Sequence, residues 1–164
     1  MAEKPSYEEL QRQVRELAAD KVNLSTQHDV LNNLFNLSLD MLCMADLDGY
    51  FRLVNSAFEN TLGYSRQVLL ETPFIEFVHP DDKAATTEAM MVLATGESLP
   101  YFENRYHCSD GSYKWIAWTC APVTDEGHLY AVARDISPQK DLQGDLKRQN
   151  DLLRTILSLS LIHI

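Results

Sequence analysis

The residues of this chain that could do chemistry are first of all its three cysteines, Cys43, Cys108 and Cys120. None of them belongs to a CxxC pair or shows the Cys-His spacing of a zinc motif, so the sequence predicts neither a metal site nor a disulfide framework. Isolated cysteines of this kind are typical of reduced, mostly buried thiols. We therefore expect a cytoplasmic protein.

A second candidate for chemistry is the run His79-Pro80-Asp81-Asp82. His79 could serve as a haem ligand, or could form an acid-base pair with Asp81. The structural interpretation is preferred, because Pro80 suits the first turn of a helix and the two carboxylates favour the positive end of its dipole. No nucleophile motif, phosphate-binding loop or dinucleotide fingerprint is present. The sequence therefore predicts no enzymatic activity.

Length and charge narrow the range of partners. The chain has 164 residues, with 14 Lys and Arg against 24 Asp and Glu and a net charge of -10. This charge argues against nucleic acid or an anionic membrane surface as a partner. No apolar run approaches the roughly 18 residues of a membrane span, and the charged start of the chain does not resemble a signal peptide. We expect one compact domain with extensions and no membrane insertion.

The stretch from Asp40 to Ser65 predicts the start of that domain. Met41 to Ala45 and Tyr50 to Val54 are short apolar runs joined by a loop that ends in Asp-Gly, as in a β-hairpin. Asn55 and Ser56 can cap a short helix, which a glycine at position 63 would end. A strand pair that leads directly into short helices forms a shallow cup.

The rest of the domain is predicted to form the far wall of this cup. Short helices are expected from Ser65 to Phe77, and a longer helix from the two aspartates to Thr95-Gly96. Three strands follow, at Leu99 to Cys108, Tyr113 to Val123 and Leu129 to Asp135, with turn residues between them. In the middle strand, strict alternation assigns Ile116, Trp118 and Cys120 to one face and Trp115, Ala117 and Thr119 to the other.

Helices are predicted at both ends. Leucines recur every seven residues at Leu10, Leu17, Leu24 and Leu31, and Val14, Lys21, His28 and Phe35 fill the alternate seam positions. This heptad pattern predicts a rod of roughly 45 Å that pairs with a partner helix in a homodimer. The alternative is an amphipathic helix that packs on its own domain. At the other end, Ser137 is a predicted N-cap and Pro138 a first helical residue, followed by a leucine-rich helix.

The two terminal helices also share a sequence. Residues 27 to 39 read QHDVLNNLFNLSL and residues 149 to 161 read QNDLLRTILSLSL. This match indicates a tandem array, in which the outgoing helix becomes the incoming helix of a second domain and His163 corresponds to Met41 as a strand start. Chance similarity between leucine-rich helices is the alternative.

Several elements in order resemble a PAS sensor domain. In addition to the predicted hairpin, these elements are FVHPDD at 77 to 82, FENR at 102 to 105, SDGSYKW at 109 to 115 and RDIS at 134 to 137. The resemblance implies an α+β fold, with a five-stranded antiparallel sheet, short helices on one face and long terminal helices. We assign residues 1–37 to a coiled-coil helix, 38–137 to the PAS domain, and 138–164 to a signalling helix that could begin a second repeat.

The resemblance also bears on cofactors. Flavin photosensors of this family carry a reactive cysteine in an Asn-Cys-Arg element near the middle helices, and here no cysteine lies between Cys43 and Cys108. We therefore expect no covalently attached chromophore. The cofactor stays unknown, and a loosely held flavin or haem is retained only as an alternative.

By resemblance, the chain is a sensory relay module of a histidine kinase or diguanylate cyclase. We expect a small ligand in the cup, and a change passed through Asp135 and Ser137 to a coiled coil that forms a homodimer. The alternative is a ligand-free module for dimerisation and signal transmission. Arg105 could meet an anionic ligand, although a structural salt bridge is equally expected. The full set of pocket candidates is Met90, Met91, Phe102, Arg105, Trp118 and Tyr130, and the set for the dimer interface is Leu10, Val14, Leu17, Leu24 and Leu31.

Overall fold

The structure, a computed structural model, describes residues 6–123 and 125–162. The chain divides into two compact units, Met1–Ser38 and Leu39–Ile164, and each is considered by itself. The predicted role of His163 as a strand start lies outside the described residues.

In its described residues the first unit consists of one helix, α1, which spans Tyr7–Leu37. It begins with a capping box, in which the Ser6 hydroxyl accepts from the Glu9 amide and the Glu9 carboxylate accepts from the Ser6 amide. Such a box satisfies two amides that a helix start otherwise leaves open. None of the residues of α1 is buried. The predicted helix is confirmed, and its leucine seam is open to solvent in the single chain.

The second unit is built on a five-stranded antiparallel sheet with the strand order β2-β1-β5-β4-β3. The chain enters at the hairpin and then crosses to the opposite edge, so that the first and last strands lie side by side in the middle. The predicted five-stranded sheet is confirmed. Its strands are β1 Met41–Asp46, β2 Phe51–Val54, β3 Leu99–His107, β4 Tyr113–Val123 and β5 His128–Asp135.

Between β2 and β3 the chain forms short helices, and after β5 it forms one long helix. In the described parts of the chain, no helix combines the length and apolar character that crossing a bilayer requires. The helices are α2 Ser56–Leu62, α3 Arg66–Glu71, one-turn 3-10 helices at Phe74–Phe77 and Pro80–Asp82, α4 Lys83–Ala94 and α5 Ser137–Ile162.

One face of the sheet forms the core. On β4, Ile116, Trp118 and Cys120 are buried and the alternate residues are more exposed, as the alternation predicts. Phe58 of α2 and Leu69 of α3 are fully buried against this unit. Burying one such side chain contributes about 1.5–3 kcal/mol. The packed inner face is what holds the short helices in place, since helices of six or seven residues are unstable alone.

Two predicted caps are wrong in detail. Asn55 precedes α2 without a side-chain cap, because its amide binds the start of β1: Oδ1 accepts from the Leu42 amide and Nδ2 donates to the Asp40 carbonyl, both at 3.0 Å. Ser137 is the first residue of α5 rather than its N-cap. Its hydroxyl accepts from the Trp115 amide instead. In both cases the side-chain oxygen that was expected to cap a helix accepts a hydrogen bond from a strand amide instead.

Candidate functional site

A small cavity lies between the inner face of the sheet and α4. It has a volume of about 50 Å³, which is room for roughly three to five water-sized groups. Its wall combines aromatic rings, small aliphatic side chains, two thiols and two neutral polar groups. The lining residues are Cys43, Ala45, Phe51, Phe74, Thr86, Ala89, Met90, Leu93, Leu99, Phe102, Asn104, Tyr106, Trp118, Cys120, Leu129 and Ala131.

The sheet side of the cavity contains a row of three small residues. Cys43 on β1 and Cys120 on β4 are both register partners of Ala131 on β5. Two strand spacings of about 4.8 Å separate the cysteine Cα atoms by roughly 10 Å, too far for a disulfide. Because Ala131 lacks bulk between them, space remains above it. The floor of the cavity is therefore two free thiols flanking a methyl group.

The thiols of this floor are neutral. Burial raises the pKa of Cys120 to about 11. Burial also raises the pKa of Cys43, and the neighbouring Cys120 acts in the same direction. Burial likewise holds the pKa of the Tyr106 hydroxyl far above its ordinary value. At neutral pH these groups are protonated, so the cavity offers no negative charge for a cation and no reactive thiolate.

A chain of hydrogen bonds forms the polar part of the wall. The Trp118 indole Nε1 donates to Asn104 Oδ1 at 2.8 Å, and Asn104 Nδ2 donates to Thr86 Oγ1 at 3.0 Å. Thr86 Oγ1 in turn donates to the backbone carbonyl of Asp82 at 2.8 Å. The side chains of Asn104 and Thr86 are buried, and pairing of this kind is what makes a buried polar group tolerable.

Sequence reasoning missed Asn104 and Thr86. One signal was present for Asn104: alternation on β3 places it between Phe102 and Tyr106 on the same face. A polar residue in phase with two aromatic residues is a candidate for the interior. Thr86 gave no comparable signal, because threonine is mostly exposed in folded proteins.

The structure places three of the predicted pocket residues, Met90, Phe102 and Trp118, on the cavity wall. Met91 is 64% exposed, on the other side of α4, and Tyr130 is 47% exposed, on the outer face of β5. Arg105 alternates with the inward Asn104 and also points away. The prediction that these last three residues line the pocket is wrong.

Arg105 instead forms the expected salt bridge. Its Nε and Nη2 donate to the two carboxylate oxygens of Asp82 at 2.8 and 2.7 Å, and its backbone amide donates to Asp82 Oδ2 at 2.8 Å. Paired charged hydrogen bonds of this fork geometry are among the strong ones in proteins. These bonds outweigh partial burial and hold the pKa of Asp82 below its ordinary value. The guanidinium also lies over the Trp115 ring, 5.1 Å from its centroid.

The two predicted coupling residues, Asp135 and Ser137, meet β4 where α5 begins. Besides the Ser137 hydroxyl bond at 2.9 Å, the Ile136 amide donates to the Trp115 carbonyl at 2.9 Å. Asp135 Oδ1 accepts from the Ser137 amide, and Oδ2 lies 3.2 Å from Lys114 Nζ. Burial opposes ionisation, but these bonds hold the pKa of Asp135 below its ordinary value. The first residues of α5 are thus bonded directly to the sheet.

His79 has a structural position. Its Nδ1 accepts from the Asp81 amide at 3.1 Å, and its ring packs edge-on against Tyr113 at 4.6 Å. It does not line the cavity. The preferred structural interpretation of this histidine agrees with that geometry, because an acceptor at Nδ1 caps the short helix that follows.

Comparison with known proteins agrees with this architecture. A family model described as the PAS fold matches residues 51–133, which is about half of the chain. The matched range begins at β2 and ends in β5, so it includes the cavity wall except for Cys43 and Ala45 on β1. No curated protein matches the chain significantly.

Solved structures similar to the chain include the PAS domain of an HTR-like protein from Haloarcula marismortui, with 27% identity and a TM-score of 0.65 over 73% of this chain and 99% of that one. A domain of a sensory box sensor histidine kinase/response regulator from Geobacter sulfurreducens has 21% identity and a TM-score of 0.59, over 68% and 96%. The N-terminal domain of a diguanylate cyclase with PAS/PAC sensor from Marinobacter aquaeolei has 19% identity and a TM-score of 0.55, over 62% of this chain and 98% of that one. The last two show the shared fold alone.

Proposed function

The chain belongs to the PAS family, and from this premise we propose that it is a sensory relay module that binds a small neutral molecule in the cavity between the sheet and α4. The module extends over residues 38–137, between a helix at 1–37 and a signalling helix at 138–164. The observation that carries the proposal is the cavity itself, because its wall includes β4, the strand to which the start of α5 is bonded.

The wall favours a neutral ligand. Among the residues that the structure describes, the cavity wall includes no Lys, Arg or His, and Arg105 is held by Asp82 on the other side of β3. Its thiols are protonated, and the amide of Asn104 is already bonded on both sides. An ion moved from water into such a site would lose its hydration without a counter-charge, at a cost of several kcal/mol. A neutral molecule of a few heavy atoms suits the volume and the chemistry.

Binding is proposed to act on α5 through the joint of Asp135 and Ser137. An occupant that displaces Trp118 also displaces β4, and Trp115 on that strand bonds to Ile136 and Ser137 through its backbone. A ligand can bias α5 only by favouring one arrangement of this joint over another. The Asp135 carboxylate, which orders the Ser137 amide, helps to define those arrangements.

The helices are proposed to join two copies of the chain. On α1 the seam of Leu10, Val14, Leu17, Leu24 and Leu31 is exposed in the single chain, and α5 likewise has exposed leucines. The shared sequence of the two helices supports a tandem array. The proposed output is a histidine kinase or a diguanylate cyclase, as in two-component signalling, and this part of the proposal rests on the family resemblance of the sequence.

One observation favours a second function, a transmission module without a ligand. The core fills most of the cup with its own rings: Phe51 lies 5.2 Å from Phe58 and 5.6 Å from Phe74, and Tyr106 lies 5.3 Å from Trp118. A cavity of about 50 Å³ holds only a few heavy atoms. In this case the terminal helices would exchange signals through a closed domain.

Native mass spectrometry of the purified chain tests both. A mass near twice 18.7 kDa with an added small-molecule increment supports the sensor, and a dimer without the increment favours the transmission module. Ala131→Val fills the cavity from β5 and must abolish the added mass. Val132→Ile is the matched control, because it adds bulk to the outer face of the same strand and must leave the added mass unchanged. An increment that survives Ala131→Val places the ligand elsewhere and overturns the proposed site.

A further inference from the structure

We propose that a specific route of side chains, passing through the amino end of α4, carries the state of the cavity from Trp118 to Lys140 on α5. The inference rests on the proposed function, because it assumes that the cavity changes occupancy. It differs from the backbone joint of Asp135 and Ser137, since it leaves the sheet, enters α4 and returns to the outer face of the sheet.

The first part of the route is the buried hydrogen-bond chain from Trp118 through Asn104 to Thr86. Trp118, Asn104 and Thr86 all line the cavity. An occupant therefore touches the same groups that form the chain. If the indole moves, Asn104 Oδ1 loses its donor, and a buried polar group that loses its partner destabilises the fold. The position of the Trp118 ring is therefore coupled to the Asn104 amide and the Thr86 hydroxyl.

The second part is Asp82, which connects the inside to the outside. Its backbone carbonyl accepts from Thr86, while its carboxylate binds Arg105 in the two-bond fork. Both contacts lie on one residue at the start of α4. A shift of Thr86 therefore acts on the anchor of Arg105 across a single residue.

The third part runs across the outer face of the sheet. Arg105 is the register partner of Trp115 and lies over its ring, while Lys140 Nζ lies 4.8 Å from the centroid of the same ring. Lys140 also binds Glu103 at 2.5 Å. One indole thus contacts a cation from β3 and a cation from α5. Cation-ring contacts of this kind are weak when exposed. A small displacement of Arg105 that moves the ring is therefore enough to change its contact with Lys140.

The two tryptophans of the chain lie at the two ends of the route, which makes it directly measurable. In ¹⁵N-labelled protein each indole N–H gives one resonance, and Trp118→Phe and Trp115→Phe assign them. Xenon, a neutral apolar atom, serves as the probe. We expect xenon pressure to shift the Trp118 resonance by occupying the cavity, and the Trp115 resonance through the route.

Thr86→Val tests the route, because it keeps the shape of the side chain and removes its hydrogen bonds. We expect the Trp118 shift to persist and the Trp115 shift to fall to the part that the movement of β4 itself causes. Thr87→Val is the matched control. The Thr87 hydroxyl makes the same type of bond, to the Lys83 carbonyl at 2.9 Å, on the exposed side of α4, so both shifts must keep their full size. A Trp115 shift that Thr86→Val does not reduce overturns the route.

Lys140→Gln breaks the route at its partly exposed end, where folding is not at risk. Both indoles must still respond to xenon, while the response of the backbone amides in the first turn of α5 falls to the part that the joint of Asp135 and Ser137 carries. An undiminished response of those amides contradicts the proposal.

A Trp118 resonance that does not move under xenon counts against the proposed ligand cavity, and the route is then tested without a ligand. Ala131→Val fills the cavity covalently and should shift Trp115. If adding Thr86→Val does not reduce that shift, the route is wrong.

Discussion

Asp82 is the residue on which most of the polar structure depends. Its carboxylate has a lowered pKa because Arg105 binds it, and a lowered pKa in the folded state means that the carboxylate stabilises the fold above its unfolded pKa. This stability is lost as the pH falls through the lower, folded-state pKa. The fold should therefore weaken as the pH falls below about 4, the ordinary value for an aspartate.

Asp82→Asn removes the charge of this pair. We expect a loss of about 2 kcal/mol in the free energy of unfolding at pH 7, and a smaller difference from the natural chain in acid, measured by urea unfolding between pH 3 and pH 7. Asp81→Asn is the matched control, because Asp81 is 77% exposed and reaches Arg105 only at 4.0 Å. Equal losses for the two variants would contradict the assigned role of Asp82.

The three thiols should be inert in the folded protein. Cys43, Cys108 and Cys120 are buried, and burial raises the pKa of each. Because the thiolate is the nucleophile, we expect a water-soluble disulfide reagent to label them slowly at pH 7 and fully in denaturant. Labelling followed by absorbance checks this. Rapid labelling of Cys43 or Cys120 without denaturant would show that its side of the cavity opens.

At this scale the sequence allowed part of the site to be predicted. Met90, Phe102 and Trp118 lie on the wall, where large apolar residues on the inner faces of a helix and a sheet meet. Tyr130 and Met91 are bulky residues next to inward positions in the sequence, and they lie on the opposite faces of β5 and α4. The sequence alone could not decide whether Arg105 lines the pocket or forms a salt bridge. The answer depends on where Asp82 lies in space, and Asp82 binds Arg105 outside the pocket.

At the scale of elements, Gly63 sets the connection from α2 to the rest of the domain. It ends α2 with a φ of +79°, and a Cβ at this position would collide with Ser109 Oγ. The same turn is bonded to the sheet, since the Ser109 amide donates to the Leu62 carbonyl at 2.9 Å. Glycine is thus needed here for its backbone conformation and for its lack of a side chain.

Gly63→Ala should lower the free energy of unfolding by about 1–2 kcal/mol for the left-handed backbone, and by a further amount for the collision. Gly111→Ala is the control, because Gly111 has a φ of +86° with nothing near its Cβ position. Thermal unfolding of the two variants separates the effects. If Ser109→Ala does not restore part of the loss in Gly63→Ala, the collision makes no contribution.

The elements themselves were largely predictable. All five strands and the long helices follow from alternation, heptads and turn residues. The caps were less predictable, because Asn55 and Ser137 each had two good uses for their side chains. A helix amide is the nearer partner in sequence, but folding brought a strand amide within reach.

At the scale of the whole molecule, the proposed homodimer depends on the seam of α1. Leu17 and Val22 are equally exposed in the single chain, at 67%, but only Leu17 lies on the heptad seam. We expect Leu17→Asp to convert a dimer of about twice 18.7 kDa to a monomer, because a charge in the seam cannot be buried. Light scattering after size-exclusion chromatography measures this.

Val22→Asp should leave the mass of the dimer unchanged. If both substitutions have the same effect, the heptad register is wrong. If the unmodified chain is a monomer at micromolar concentration, α1 does not pair, and the proposed relay through a homodimer is wrong.

The bonds from Trp115 to Ile136 and Ser137 have a mechanical consequence. They fix α5 to β4 at its first turn, so the helix can pivot there but cannot slide along the sheet. With 26 residues, α5 is a lever arm of about 39 Å. A tilt of about 5° at the pivot moves the far end by roughly 3 Å, well over half a helical turn in rise. Sub-ångström changes around a cavity of a few atoms are in this way enough to reposition whatever α5 joins at its other end.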